Sequence, residues 1–187
     1  RESKIFHFGS LSLTNEPARS ATKHALSLAK AAGCLITYDP NYRPPLWSNV
    51  EEAVEQMKKP LPLVDILKIS KEELTLLFPG SEGEAVSAIL ALGVRLVLVT
   101  DGGNGARLYT KSLRISRPAR NVHPVDTTGA GDIFFGTFLS QFLRRSLSLD
   151  SLRKEDAAAC LEAAISVSGK STERPGGIAS IPDPSEL

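Results

Sequence analysis

The sequence predicts an α/β fold with a largely parallel sheet. Short apolar runs alternate with amphipathic stretches, the junctions between them are short, and polar residues collect where the apolar runs end. Those ends read "DPNYR" (39–43), "KIS" (68–70) and "TDGGNG" (100–105), along the edge where open α/β sheets bind ligands. In chain order, strands are predicted at 5–9, where "KIFHFGS" alternates, at 34–39, 66–69 and 96–100, and as a pair at 105–109 and 113–116. Helices are predicted at 17–32 with Asn15 capping, 50–58 with Ser48 or Asn49 capping, 71–78, 82–92, 129–145 and 154–168. The Pro-containing stretches at 40–48 and 60–62 read as loops within one domain.

Composition narrows the function classes. With 187 residues, 42% apolar and 23% charged, the chain fits one ordinary domain with a core of its own. A net charge of +1 and few, scattered aromatics leave no footprint for nucleic acid. No apolar run approaches membrane-spanning length and no signal-peptide pattern opens the chain, so no membrane partner and a cytoplasmic location are expected. Cys34 and Cys160 lack CxxC spacing and read as buried, reduced thiols. Neither a P-loop nor a GxGxxG after the first strand is present, and His7, His24 and His123 are too scattered for a zinc site or a catalytic triad. The chain opens Arg1-Glu2-Ser3 without Met and enters a strand almost at once, which reads as an interior beginning.

The most informative stretch is "HPVDTTGAGDIFFGTFL" (123–139). Thr127 and Thr128 are good N-cap types, and Ile133, Phe134, Phe138, Leu139, Phe142 and Leu143 recur at helical spacing, so a helix begins within Gly129-Ala130-Gly131-Asp132. The first N–H groups of a helix lack partners inside it, and its dipole places positive charge there, which suits an anion such as phosphate. Gly-Ala-Gly keeps side chains away from that anion, and Asp132 adds a carboxylate in the first turn.

This pattern resembles the C-terminal D-T-x-G-A-G-D signature of the ribokinase-like (PfkB) carbohydrate kinases, here Asp126-Thr127-Thr128-Gly129-Ala130-Gly131-Asp132. The resemblance runs in order through "FGSLSL" (8–13), "YDPNYRPPLW" (38–47), "DILKISKEEL" (65–74), "VTDGGNGA" (99–106) and "GGIASIP" (176–182). It is strongest to the fructokinase and 2-keto-3-deoxygluconate kinase branches through the D-x-N-x-R-P-x-LW run. Two positions depart from the pattern: Thr137 stands where the family has Ala or Gly, and Ser70 where many members have Asn in N-x-x-E.

The resemblance implies a three-layer Rossmann-like (ribokinase-like) sheet flanked by helices. Residues 1–187 would be the nucleotide-binding and catalytic C-terminal portion, with the N-terminal sugar-binding part and lid missing. It implies ATP-dependent phosphorylation of a sugar hydroxyl, with fructose the leading sugar, Mg²⁺ as cofactor, K⁺ as a further cation, and a homodimer through the absent lid in the full-length protein. The chain alone would then be inactive on sugars. The other readings are 2-keto-3-deoxygluconate kinase or another PfkB kinase, such as a nucleoside or vitamin kinase, and a nucleotide-binding module without turnover.

Residue roles follow from the resemblance and the chemistry together. Asp132 is the candidate base for the sugar hydroxyl, and the N–H groups of Gly129, Ala130 and Gly131 would hold the γ-phosphate as charge develops on it. Thr100, Asp101, Gly102, Gly103 and Gly105 are candidates for the nucleotide, although a plain turn explains the glycines equally well. Lys68, inside an apolar strand, needs an acidic or phosphate neighbour if buried and is placed with the nucleotide group. Asn41 and Arg43 are candidates for the sugar, against an ion pair that closes their loop. Glu73 would organise Mg²⁺ and its waters, against a capping role. Asp126 and Thr128 would shape a monovalent-cation loop facing Ser180 and the backbone near Gly176, against a cap for the helix.

Overall fold

The computed structural model describes residues 3–183 and 185. The strands β1 (Ile5–Gly9), β2 (Leu35–Asp39), β3 (Ile66–Ser70), β4 (Leu96–Thr100), β5 (Ala106–Tyr109) and β6 (Arg114–Arg117) lie in the sheet in sequence order. β1 pairs in parallel with β2, from Ile5 opposite Leu35 to Gly9 opposite Asp39, and β2 pairs in parallel with β3. The helices are α1 (Ala18–Ala31), α2 (Val50–Lys58), α3 (Lys71–Leu77), α4 (Glu82–Ala91), α5 (Ala130–Arg144) and α6 (Lys154–Ser171). The predicted boundaries hold within one residue, except that α6 continues to Ser171. None of the helices among the described residues is long and apolar enough to cross a membrane.

The chain divides into two compact units, residues 1–99 with 109–112 and residues 100–108 with 113–187. In the first unit, the alternation of β2 and β3 places Ile36, Tyr38, Leu67 and Ile69 in one core with Met57 of α2, Leu77 of α3 and Ile89 of α4. Phe8 stacks on Tyr38 with ring centroids 4.5 Å apart. Cap chemistry fixes where the helices begin. Asn49 accepts the Glu52 N–H at 2.7 Å, and Ser70 and Ser81 each complete a capping box with Glu73 and Glu84.

Two expectations fail in this unit. Asn15 does not cap α1 with its side chain: Pro17 occupies the cap position, the backbone carbonyl of Asn15 accepts the Arg19 N–H at 2.9 Å, and Glu16 takes the Ser20 N–H at 3.0 Å. Cys34, just before β2, is only half-buried, with Sγ 3.3 Å from the Ser3 carbonyl. Cys160 is fully buried on α6, as expected, and both thiols are free.

Lys68 shows how β3 tolerates a charge. Its ammonium lies 2.9 Å from Asp39 Oδ2, with side chains only 9% and 7% exposed. Of the two partners the sequence allowed, it has the acidic one. In the second unit, Phe134, Phe138 and Phe142 of α5 are buried, and α6 meets α5 with Ala157, Cys160, Leu161 and Ala164 buried. Small residues on α6 leave room for the phenylalanine rings.

Asp39→Ala leaves the Lys68 ammonium buried without its counter-charge and should cost about 3–5 kcal/mol. Denaturant unfolding checks this against the Asp39→Leu, Lys68→Met pair, which buries no charge and should lose much less. Equal losses in the two proteins would contradict the pairing.

Candidate active site

The site in the second unit is built on the start of α5. Gly129 caps the helix at φ +76°, a left-handed conformation that side chains disfavour, and a Cβ there would lie 3.2 Å from Gly177 Cα. This corrects the expectation for Thr127 and Thr128, neither of which caps the helix: the chain turns too sharply at Gly129 for a threonine side chain to reach the first turn. The turn is instead held by Asp126, whose Oδ1 accepts the Thr128 N–H and whose Oδ2 accepts the Gly176 N–H, each at 2.9 Å. Hydrogen bonds from the Thr128 side chain and from the N–H groups of Gly176 and Thr128 hold the Asp126 carboxyl down to about 2.

The N–H groups expected to hold an anion separate here. Ala130 N–H donates to the Thr127 carbonyl at 3.1 Å, because the tight turn at Gly129 brings that carbonyl over it. Gly129, Gly131 and Asp132 N–H have no hydrogen-bond partner among the described residues, and the next amide, Ile133, returns to the Gly129 carbonyl at 2.8 Å. Ala130 is therefore a weaker donor to an anion than the sequence implies. The Asp132 carboxylate is exposed and has no hydrogen bond or ion pair among the described residues.

A cavity of about 290 Å³ runs from this helix start. Thr127, Ala130 and Gly131 line one end, Thr100, Gly102, Gly103 and Gly105 another wall, and Ile165, Ser168 and Gly169 of α6 with Thr172 just after it a third. The structure thus brings Thr100, the three glycines, Ala130 and Gly131 to one cavity. Gly105 is required for that wall, since a Cβ at its φ of +93° would sit 2.1 Å from the Arg117 carbonyl oxygen. Asp101 stands differently: its carboxylate pairs with Arg107 at 3.1 Å and takes the Asn104 amide at 3.3 Å.

The α6 wall and Arg107 were missed in the sequence. Gly169, a glycine within a helix, was the available signal: a Cβ there would meet Arg120 Cβ at 3.1 Å, and Arg120 in turn bonds Ser166 Oγ at 2.8 Å. Ser180 is buried and donates to the Gly177 carbonyl at 2.7 Å, so its hydroxyl proton serves its own turn and not the Asp126 loop.

In the first unit, Glu73 takes backbone N–H groups on both oxygens, Tyr42 at 2.7 Å and Ser70 at 2.9 Å. That is the capping alternative, extended to the 39–43 loop. Asn41 in this loop has φ +47°, and the exposed Arg43 reaches only the Tyr42 carbonyl, at 3.3 Å, with no ion pair among the described residues. Lys68, placed with the nucleotide group from sequence, is committed to Asp39.

The fold and the α5 start define an α/β protein with an open helix start beside an exposed carboxylate. Comparison with known proteins gives the family. The model of the pfkB family carbohydrate kinases matches residues 1–184, and the chain belongs to that family. It is 40% identical over 189 residues to "Probable fructokinase-5" of Arabidopsis thaliana, covering all of this chain and 57% of that relative. The chain thus spans just over half the length of this curated relative. Among solved structures, it is similar to a fructokinase double mutant of Vibrio cholerae O395 in a form with fructose, ADP and potassium bound (TM-score 0.90, 29% identity, 100% of this chain and 59% of that chain). It is also similar to an Escherichia coli protein designated ribokinase II in complex with ATP and Mg²⁺ (TM-score 0.83, 29% identity, 96% and 55%).

Asp126 has a pH signature. Its folded value of about 2 lies below the ordinary aspartate value of about 3.9, so its stabilising contribution is complete above about pH 4 and is lost as pH falls towards 2. The stability difference between wild type and Asp126→Asn should therefore shrink across that window in unfolding curves at stepped pH. A difference unchanged from pH 5 to pH 2 would contradict the two-sided tether.

Proposed function

We propose that the protein transfers the γ-phosphoryl group of ATP to a sugar hydroxyl, with fructose as the sugar. The observation that carries this reading is the accessible, unpartnered Asp132 carboxylate in the same helix turn as the unpartnered N–H groups of Gly131 and Asp132. Family membership and the fructokinase relatives support it. A base and a set of N–H donors at one point are what in-line phosphoryl transfer requires, since the rest of that chemistry is positioning and charge stabilisation.

In this reading the Asp132 carboxylate accepts the proton of the attacking hydroxyl, while the N–H groups of Gly131 and Asp132, with Gly129 beside them and Ala130 in a lesser part, hold the phosphoryl oxygens. Thr100, Gly102, Gly103 and Gly105 approach the nucleotide, with Asp101 acting beneath them. Asn41 and Arg43 hold the sugar. Bound Mg²⁺ would neutralise charge on the phosphates. Glu73 fits an outer role there, because its oxygens keep lone pairs for metal-bound water while they accept backbone N–H groups. Asp126, Thr128 and the Ser180 turn fit a K⁺ loop through its shape, because both Asp126 oxygens already accept N–H groups. A homodimer rests on the family resemblance alone, and a cytoplasmic location on the sequence expectation alone. The similarity to the ribokinase II structure supports a second reading, another sugar kinase of the family.

The full-length protein should phosphorylate fructose in preference to ribose and 2-keto-3-deoxygluconate when ATP consumption is followed for each. Asp132→Asn should lower turnover by about 10²- to 10⁴-fold while nucleotide affinity stays near wild type. Near-normal turnover by this variant would remove Asp132 from the base role, and preference for another sugar would favour the second reading.

A further inference from the structure

The turn that follows β4 supplies Gly102, Gly103 and Gly105 to the cavity wall. Its backbone closes through Asp101 N–H to the Gly105 carbonyl at 2.9 Å, Asn104 N–H to the Asp101 carbonyl at 2.8 Å and Gly105 N–H to the Gly102 carbonyl at 3.1 Å. Glycine has more backbone freedom than any other residue, and Gly102 and Gly105 both stand at positive φ. A Cβ at Gly102 or Gly103 would meet nothing within 4 Å, so these two positions face open space.

The tie lies beneath it. Asp101 precedes the turn and its side chain is 10% exposed; Arg107 follows it on β5 and its side chain is 18% exposed. Arg107 Nη2 donates to Asp101 Oδ2 at 3.1 Å, and Asn104, inside the turn, donates its side-chain amide to Asp101 Oδ1 at 3.3 Å. One carboxylate thus joins the strand before the turn, the turn itself and the strand after it. Arg107 stands behind the wall and does not line the cavity.

We propose that Arg107 is a positioning residue for the nucleotide: paired with Asp101, it holds the Gly102–Asn104 turn in the one conformation whose backbone can lie against the nucleotide. The proposal rests on the kinase reading of the cavity. The guanidinium is permanently charged and planar, so the tie persists at every working pH, and a lysine, which offers a point charge without the fork, can replace it only in part. Contacts from the turn are made before and during phosphoryl transfer alike. Loosening it therefore weakens nucleotide binding without slowing the chemical step.

Steady-state kinetics of the full-length protein test this. Arg107→Met should raise the KM for ATP by about tenfold, with kcat and the sugar KM within about twofold of wild type, and Arg107→Lys should fall between. ADP affinity from calorimetry should move in parallel with the ATP KM. A residue that only stabilised the fold would instead lower Tm and the active fraction, cutting kcat with the ATP KM unchanged. That pattern, or wild-type ATP KM in a folded Arg107→Met protein, overturns the proposal. If Arg107→Met does not fold, Arg107→Lys decides: a raised ATP KM supports the tie, and a wild-type one overturns it. A wild-type protein that binds no nucleotide and phosphorylates no sugar would overturn the kinase reading and this proposal together, whereas an active wild type with unaffected variants overturns the proposal alone.

Discussion

A helix cannot satisfy its own first N–H groups, and the second unit of this protein is arranged around one helix start left open. Three of the six helices among the described residues are capped by a side chain: Asn49, Ser70 and Ser81 each supply an oxygen to the first turn. At α5 there is no side-chain cap, the cap residue is a left-handed glycine, and two successive amides, at Gly131 and Asp132, have no partner among the described residues. An open end of this kind needs the preceding chain held away from it. Asp126 does this by bonding Thr128 on one oxygen and Gly176, fifty positions along the chain, on the other.

That tether explains why the neighbouring residues are small. Gly129 lies against Gly177, so a side chain at Gly129 would press the α5 turn away from the 176–180 segment. Gly105 is pressed in the same way against the 117–119 segment. The glycines at the two contacts do different work. At Gly129 the missing side chain permits the turn that exposes N–H groups, and at Gly105 it permits a cavity wall to close. Glu73 follows a related economy in the first unit, where one carboxylate both caps α3 and fixes the loop that carries Asn41 and Arg43.

The element order was legible because the first four strands are short, mostly apolar runs and most helices carry a Ser, Asn or acidic signal at the start. The α5 start was legible as a place but not in its mechanism. Thr127 and Thr128 have the right side chains to cap, and only the positive φ of Gly129 shows that the chain turns past them. The bond that occupies Ala130 N–H depends on the same turn, which no residue pattern states. Lys68 was readable as a charge that needs a partner, but Asp39 is distant in sequence and the choice between it and a phosphate is a matter of strand register. The α6 wall was hidden because Ser168, Gly169 and Thr172 look like ordinary helix residues. What identified the family was the ordered set of motifs at strand ends, where backbone geometry restricts residue choice most.

In the proposed reaction the open start of α5 binds the terminal phosphate of a nucleotide. Backbone amide chemical shifts in the full-length protein, compared between saturating ADP and a non-hydrolysable ATP analogue, address it directly. The account predicts that the Gly131 and Asp132 amides shift most between the two complexes, because only the analogue places a γ-phosphate on those donors. A difference confined to other amides, with Gly131 and Asp132 unmoved, would contradict it.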